Sequence, residues 1–195
     1  MSTHRITLLS SSPEPELPIT LDMAKAHLRI TDDDEDDLIN AYIDACVGWA
    51  EHESHRAIAR RQYLVVRDQF PVGGWMLPLG KVQSIESVEY IDADGDVQTW
   101  ASSEYELDNA SDFQSRLRPA SGTSWPTVGD YWAAARVSLT AGWDGSAVPY
   151  AIKQALLLKL ASLYDVRAPG DADSNAIERA AMALLASWTL PVFSA

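Results

Sequence analysis

Three stretches of this 195-residue chain hold side chains of the kind that do chemistry. His52 and His55, flanked by Glu51 and Glu53, are spaced to put two imidazoles on one helix face, where they could serve as nitrogen ligands to zinc. The zincin pattern His-Glu-x-x-His is absent, and the other histidines, His4 and His27, lie elsewhere in the sequence. The pair therefore reads as a solvated helix end, with a small metal-dependent enzyme as the rival. Asp92-Ala93-Asp94-Gly95-Asp96 has acids at alternate positions, as a calcium loop does. Its glycine is misplaced for an EF-hand, however, and Ser103 stands where the bidentate Glu belongs. A hairpin turn explains it better. The acidic run Asp32 to Asp37 lacks the glycine that would bend a chain round calcium, so it reads as a solvated helix start. Cys46 lies on an apolar stripe and reads as a buried structural thiol. No G-x-S-x-G elbow or phosphate-cradling glycine loop occurs. The sequence thus predicts no catalytic residue, no metal and no cofactor.

Composition narrows the field. A chain of this length with 47% hydrophobic residues can bury a core without staples, and one cysteine excludes an intrachain disulfide. Seven Trp and seven Tyr supply large side chains for a core or an interface. The start of the chain lacks a signal-peptide pattern, and no apolar run reaches membrane-span length, so a cytosolic protein without a membrane partner is expected. The formal net charge is -13, and residues 1–55 hold twelve acids against three bases. Such a surface keeps copies soluble and disfavours phosphate binding.

The elements follow from periodicity. Residues 1–18 read as an extended N-terminal arm, since 10–18 are rich in Ser and Pro. Thr20 can cap a short helix carrying Leu21, Ala24 and Leu28 on one face. A second helix after the acidic run bears Leu38, Ile39, Tyr42, Ile43, Cys46, Trp49 and Ala50 as a stripe. Arg56, Arg60 and Arg61 near its end complement the helix dipole. The period then changes. Leu64, Val66 and Phe70 share a strand face, Val82–Ile91 reads as a strand that hides a bulge, and Asp94-Gly95 signals a type I′ hairpin. Short strands are expected at Tyr105–Leu107 and Arg116–Arg118, and a half-buried one carries Val137, Leu139 and Ala141. Pro149 opens a third helix, apolar nearly all round from Ile152 to Tyr164. A Pro-Gly-Asp break at 169–171 precedes a fourth helix capped by Ser174 or Asn175. Trp125, Tyr131, Trp132 and Trp143 suit core or interface equally.

The predicted fold is α+β: a helical bundle with a strand-rich insertion, about 62–141, between helices two and three, plus a C-terminal helix. The division expected is an arm (1–18), a central domain (19–167) and a linker with C-terminal helix (168–195).

Against this background, Ile19-Thr-Leu-Asp-Met-Ala-Lys-Ala-His-Leu-Arg-Ile30 with the following acids and Asp37-Leu38-Ile39 resembles the opening of tailed-phage head-tail connector (adaptor) proteins. Ser54-His55-Arg56-Ala57-Ile58 is similar to the family's Thr-Gly-Arg-like helix exit, with His55 in the glycine position. Ser124-Trp125-Pro126 resembles its Ser-Trp-Pro loop, and Val148 to Leu157 the start of its buried third helix. The resemblance spans about 18–167. It implies a non-enzymatic virion protein of a phage or gene transfer agent, in a dodecameric ring between the portal and a stopper or tail-completion protein. DNA would pass through as cargo. The place implied is the virion neck, with host cytoplasm during assembly; another neck or tail-completion protein is the nearest alternative. The amphipathic C-terminal segment, through Ile177, Leu184, Leu185, Trp188, Val192 and Phe193, is expected to dock on the portal.

Overall fold

The computed structural model describes residues 5–9, 16–165 and 174–190. Four helices and eight strands follow in the order β1 (Arg5–Leu8), α1 (Leu21–Leu28), α2 (Asp36–Ser54), β2 (Arg61–Arg67), β3 (Trp75–Leu77), β4 (Val82–Ile91), β5 (Val97–Trp100), β6 (Tyr105–Asp108), β7 (Ser115–Pro119), β8 (Ala135–Ala141), α3 (Tyr150–Asp165) and α4 (Ser174–Ala186). The architecture is α+β, as the change of period predicted. The chain forms two compact units, one helical, from residues 16–59 and 143–190, and one of strands, from β1 and Arg60–Gly142.

In the helical unit, Thr20 caps α1 as expected, its Oγ1 accepting a bond from the Met23 N–H at 3.3 Å. Lys25 then pins the acidic run: its Nζ lies 2.6 Å from Asp33 Oδ1 and 2.7 Å from Asp36 Oδ1. Hydrogen bonding to Lys25 holds the Asp33 carboxyl below its ordinary range, while the Lys25 ammonium is pushed up, first by Asp33 and then by Asp36. On α2 the stripe is buried through Ile39, Ile43, Cys46, Val47 and Ala50, and α3 supplies Ile152, Ala155, Leu156, Leu157 and Leu160 to the same core. The nearly all-round apolarity of α3 is thereby explained, because α1, α2 and α4 all pack on it or beside it.

The end of α2 departs from what its residue type favours. His55 occupies the left-handed region at φ 53°, with its N–H bonded to the His52 carbonyl and the Arg56 N–H to that of Glu51. This is a Schellman ending, a geometry glycine adopts without the crowding of a Cβ.

The strand unit holds two antiparallel sheets, a five-stranded one ordered β1-β2-β8-β4-β5 and a three-stranded one ordered β3-β7-β6. The expected bulge in β4 is present: its register against β8 shifts between Val82 and Ser84 and again between Ile85 and Ser87. The short strands expected near Tyr105 and Arg116 are β6 and β7, while β1 and β3 had no recognisable pattern. For β2 the expected single face needs correction. The strand ends before Phe70, and Tyr63 and Val65 on the opposite face are buried, as is Val66. Ser115, fully buried, ties the two sheets together by donating to the Gly80 carbonyl (2.8 Å) and accepting from the Val82 N–H (3.0 Å).

The β4–β5 hairpin forms at the expected place with a different turn. Gly95 has φ 91°, but Asp94 is not left-handed, so this is not type I′. Five residues connect the strands, and the Asp92 carboxylate organises them by accepting from the N–H groups of Asp94 and Asp96 and from Gln98 Nε2. These bonds, that from Gln98 foremost, lower the Asp92 pKa.

Replacing His55 with Gly is expected to raise stability by about 1 kcal/mol, read as a higher denaturant midpoint at unchanged slope, because it removes the left-handed penalty on a residue with a Cβ. A second expectation concerns pH. With its folded-state pKa depressed, Asp33 adds stability above the unfolded carboxylate value of about 4 and loses it as pH falls through the lower folded value. Lys25→Met should therefore lower the Tm at pH 7 and converge on the parent protein in strong acid.

Candidate functional site

The residues singled out for chemistry are turned to structural use. His52 and His55 have ring centroids 6.4 Å apart in an edge-on arrangement. Among the described residues no group of three His, Cys, Asp or Glu is placed to hold a metal ion. Glu51, beside them in sequence, instead accepts from the Ile58 N–H at 2.9 Å and the Ala59 N–H at 3.1 Å, holding the chain as it leaves α2. Cys46 is fully buried, and desolvation pushes its thiol up to about 12, the opposite of what a nucleophile needs. A cleft of about 370 Å³ in the strand unit is lined by Met76, Asp108, Ala110, Ser111, Gln114 and Arg116; its Ser111 hydroxyl accepts from the Phe113 N–H and its Asp108 carboxylate from the Ala110 N–H.

The most specific polar arrangement was not foreseen. Arg56, expected only to complement the helix dipole, is 3% exposed. Its guanidinium lies 4.6 Å from the ring centroid of Trp143 and 5.6 Å from that of Trp188, and donates to the Trp188 carbonyl at 3.0 Å. The two indoles meet edge to face at 6.0 Å. Nearby, the Leu190 N–H donates to the Ser54 carbonyl, and the Trp143 N–H to that of Ile58. The signal available in the sequence was the pairing of a helix-exit arginine with tryptophans far along the chain, which one-dimensional periodicity does not reveal.

Of the residues expected to dock, Leu185 is buried in the helical core, and Leu184 and Trp188 are partly buried against it. Ile177 is half-buried, and Val192 and Phe193 lie outside the described residues, as does the break at 169–171. The aromatic residues near loops divide. Trp143 is core, Trp125 stacks on Phe70 at 4.6 Å within a cluster that includes Trp75, Trp100 and Tyr105, while Trp132 is 88% exposed.

This geometry bounds what the molecule can be: a scaffold whose fixed points are internal and whose outer surface is acidic and aromatic. Comparison with known families supplies the rest. The model of the family described as phage gp6-like head-tail connector protein matches residues 18–91. The match covers less than half of the chain. The matched segment runs from the capped α1 through the acidic run and α2 to the end of β4, and so includes His55 and Arg56. No curated protein matches the sequence. Among solved structures, similar folds occur in a chain of the virion of a native gene transfer agent (GTA) particle, at 23% identity and TM-score 0.77 over 97% of this chain and 98% of that one. They also occur in the neck of a native GTA particle with C12 symmetry, at 22% and 0.76 over 98% of each chain. The neck of an empty GTA particle with C6 symmetry gives 23% and 0.74, again over 98% of each. At such identities the likeness is one of fold, and it extends well past the segment that the family matches, to α3 and α4.

Arg56→Ala is expected to cost about 3 kcal/mol, through lost cation–π contact and a gap between two indoles. Arg56→Lys should recover less than half of that, since an ammonium lacks the planar face that stacks on Trp143. Denaturant melts followed by tryptophan fluorescence will show both.

Proposed function

We propose that this protein is a structural part of the neck of a tailed phage or gene transfer agent. In this reading it is an adaptor, copies of which form a ring, dodecameric by expectation, between the portal and the next neck protein, extending the DNA channel. The observation that carries the proposal is the agreement of the fold with chains of GTA virions and necks over 97–98% of this chain, joined to the connector-family match at residues 18–91.

The physical chemistry supports the same reading. A channel must let DNA slide, and a net charge of -13 per copy repels phosphate. Exposed Asp32, Asp34, Asp37 and Asp44 crowd the first two helices and their connection. Assembly of a closed ring needs a patch on each copy that meets a different patch on its neighbour, a demand that exposed side chains such as Trp132 and Tyr131 suit. Another neck or tail-completion protein shares this logic; the helical unit that holds most of the connector segment favours the adaptor.

Docking on the portal is assigned to the C-terminal segment in a modified form. Leu184, Leu185 and Trp188 hold α4 on its own core, so the contact falls to the apolar residues that follow, Val192 and Phe193, with Ile177 adding a half-buried edge. Two experiments follow. Particles lacking the gene should accumulate as filled or empty heads without tails, and complementation should restore tails; normal tailed particles without the gene product would end the proposal. A chain truncated after Leu190 should keep its cooperative melt yet fail to join portal-bearing heads, whereas truncation after Arg167 should abolish the melt, because it strips Leu185 and Ala181 from the core.

A further inference from the structure

Among the described residues the five-stranded sheet ends in two unlike edges with no further strand paired to them, β1 and β5, each four residues long. Apart from that shortness, neither strand's sequence carries the usual protection of an edge. The sequences Arg5-Ile6-Thr7-Leu8 and Val97-Gln98-Thr99-Trp100 hold no Pro, no Lys and a single charge, in a chain rich in charged residues. Ile6, Leu8 and Val97 are 41%, 51% and 57% exposed. The bonded pairs fix which backbone groups face outward. The Leu9 N–H donates to the Gln62 carbonyl, so in steps of two Thr7 and Arg5 face β2, and Ile6 and Leu8 present their N–H and C=O groups to the outside. On the other edge the Asp92 N–H donates to the Asp96 carbonyl, so Gln98 and Trp100 bond to β4, and Val97 and Thr99 face out.

We propose that these two edges are the ring contact: β5 of one copy pairs with β1 of the next, so that the occupant of each edge is a second copy of this chain. The inference rests on the ring reading above and specifies its interface. Every neighbouring pair in the sheet is antiparallel, so the first and fifth strands run in the same direction. A copy brought alongside in the same orientation therefore lays its β1 parallel to β5. That register sets Arg5, the one charge on either edge, at the start of β5, beside the exposed carboxylates of Asp94 and Asp96 in the hairpin. The contact is heterologous, edge one against edge two, as ring closure requires, and its main-chain bonds are those of strand addition.

Hydrogen exchange of the free subunit and of the ring recovered from assembled necks tests this directly. In the free subunit the amides of Gln98 and Trp100 should be slow and those of Ile6, Leu8, Val97 and Thr99 fast. In the ring Ile6 and Leu8, or Val97 and Thr99, or both pairs, should slow by about 100-fold. A ring in which all four stay fast overturns the edge contact and leaves the ring reading intact. The absence of any ring in assembled necks overturns both. As a second arm, Thr99→Pro removes an outward N–H without touching the β4 ladder, so the subunit should fold and fail to close rings; rings formed as readily as by the parent overturn the proposal.

Discussion

A buried guanidinium between two indoles holds the helical unit together. Arg56 leaves the last turn of α2, Trp143 opens the segment leading to α3, and Trp188 follows α4, so one side chain joins three parts of the chain that are distant in sequence. Burying a cation is costly unless its surroundings repay the lost water. Here repayment comes from two ring faces, each worth up to about 2 kcal/mol when water is excluded, and from the Trp188 carbonyl. The left-handed His55 is what aims Arg56 inward, because a helix continued past Ser54 would carry residue 56 onto another face. Strain of about 1 kcal/mol at His55 is thus offset by the contacts it permits.

The strand unit uses the same strategy with smaller polar groups and one ion pair. Ser115 joins the two sheets, Asn109 donates to the Val82 carbonyl, and Lys81 meets Asp112 at 3.0 Å, so the connection from β6 to β7 is fastened to the start of β4. Beside the bulged part of β4, Glu86 accepts from Ser84 and Thr140, bonds that lower its pKa and let a carboxylate sit on the sheet face. At one end of the five-stranded sheet, Asp68 accepts from the N–H of Ala133, which is left-handed at φ 54°. That bond fixes the loop from which Trp132 projects.

Legibility in the sequence followed the range of the interactions. Thr20, the stripe on α2, the all-round apolarity of α3, the bulge in β4 and the alternation of β8 are all set by neighbours within a few residues, and each was visible as a pattern. The β4–β5 turn was half legible: Asp94-Gly95 marked its place, but the Asp92 carboxylate selects a five-residue connection over a two-residue one. β1 and β3 are too short for alternation to register, and their pairing partners lie some 40 to 60 residues away. Arg56 misled for a related reason. Beside a helix end a dipole partner is the economical reading, and only the fold brings Trp143 and Trp188 to it.

The fate of the polar side chains bears on what the surface is for. Glu51, Asp68, Asp92, Ser115 and Thr20, which by type could ligate, relay protons or cap, each bond to backbone N–H groups of this chain. For Asp92 the bonds from Gln98 and from the backbone lower the pKa and fix the carboxylate, a poor start for general acid or base work that needs a proton to come and go near neutral pH. With those groups committed inward, the surface is left with carboxylates that meet water and with a few apolar side chains held out by ordered loops and strand edges. In the proposed ring such a surface would discriminate by shape, charge and main-chain pairing and gain specificity from repetition, since a contact too weak to hold two copies closes a ring when every copy makes it twice. The sequence puts its polar chemistry into rigidity, which is what the proposed ring would need, because a repeated contact keeps its register only on a fixed backbone.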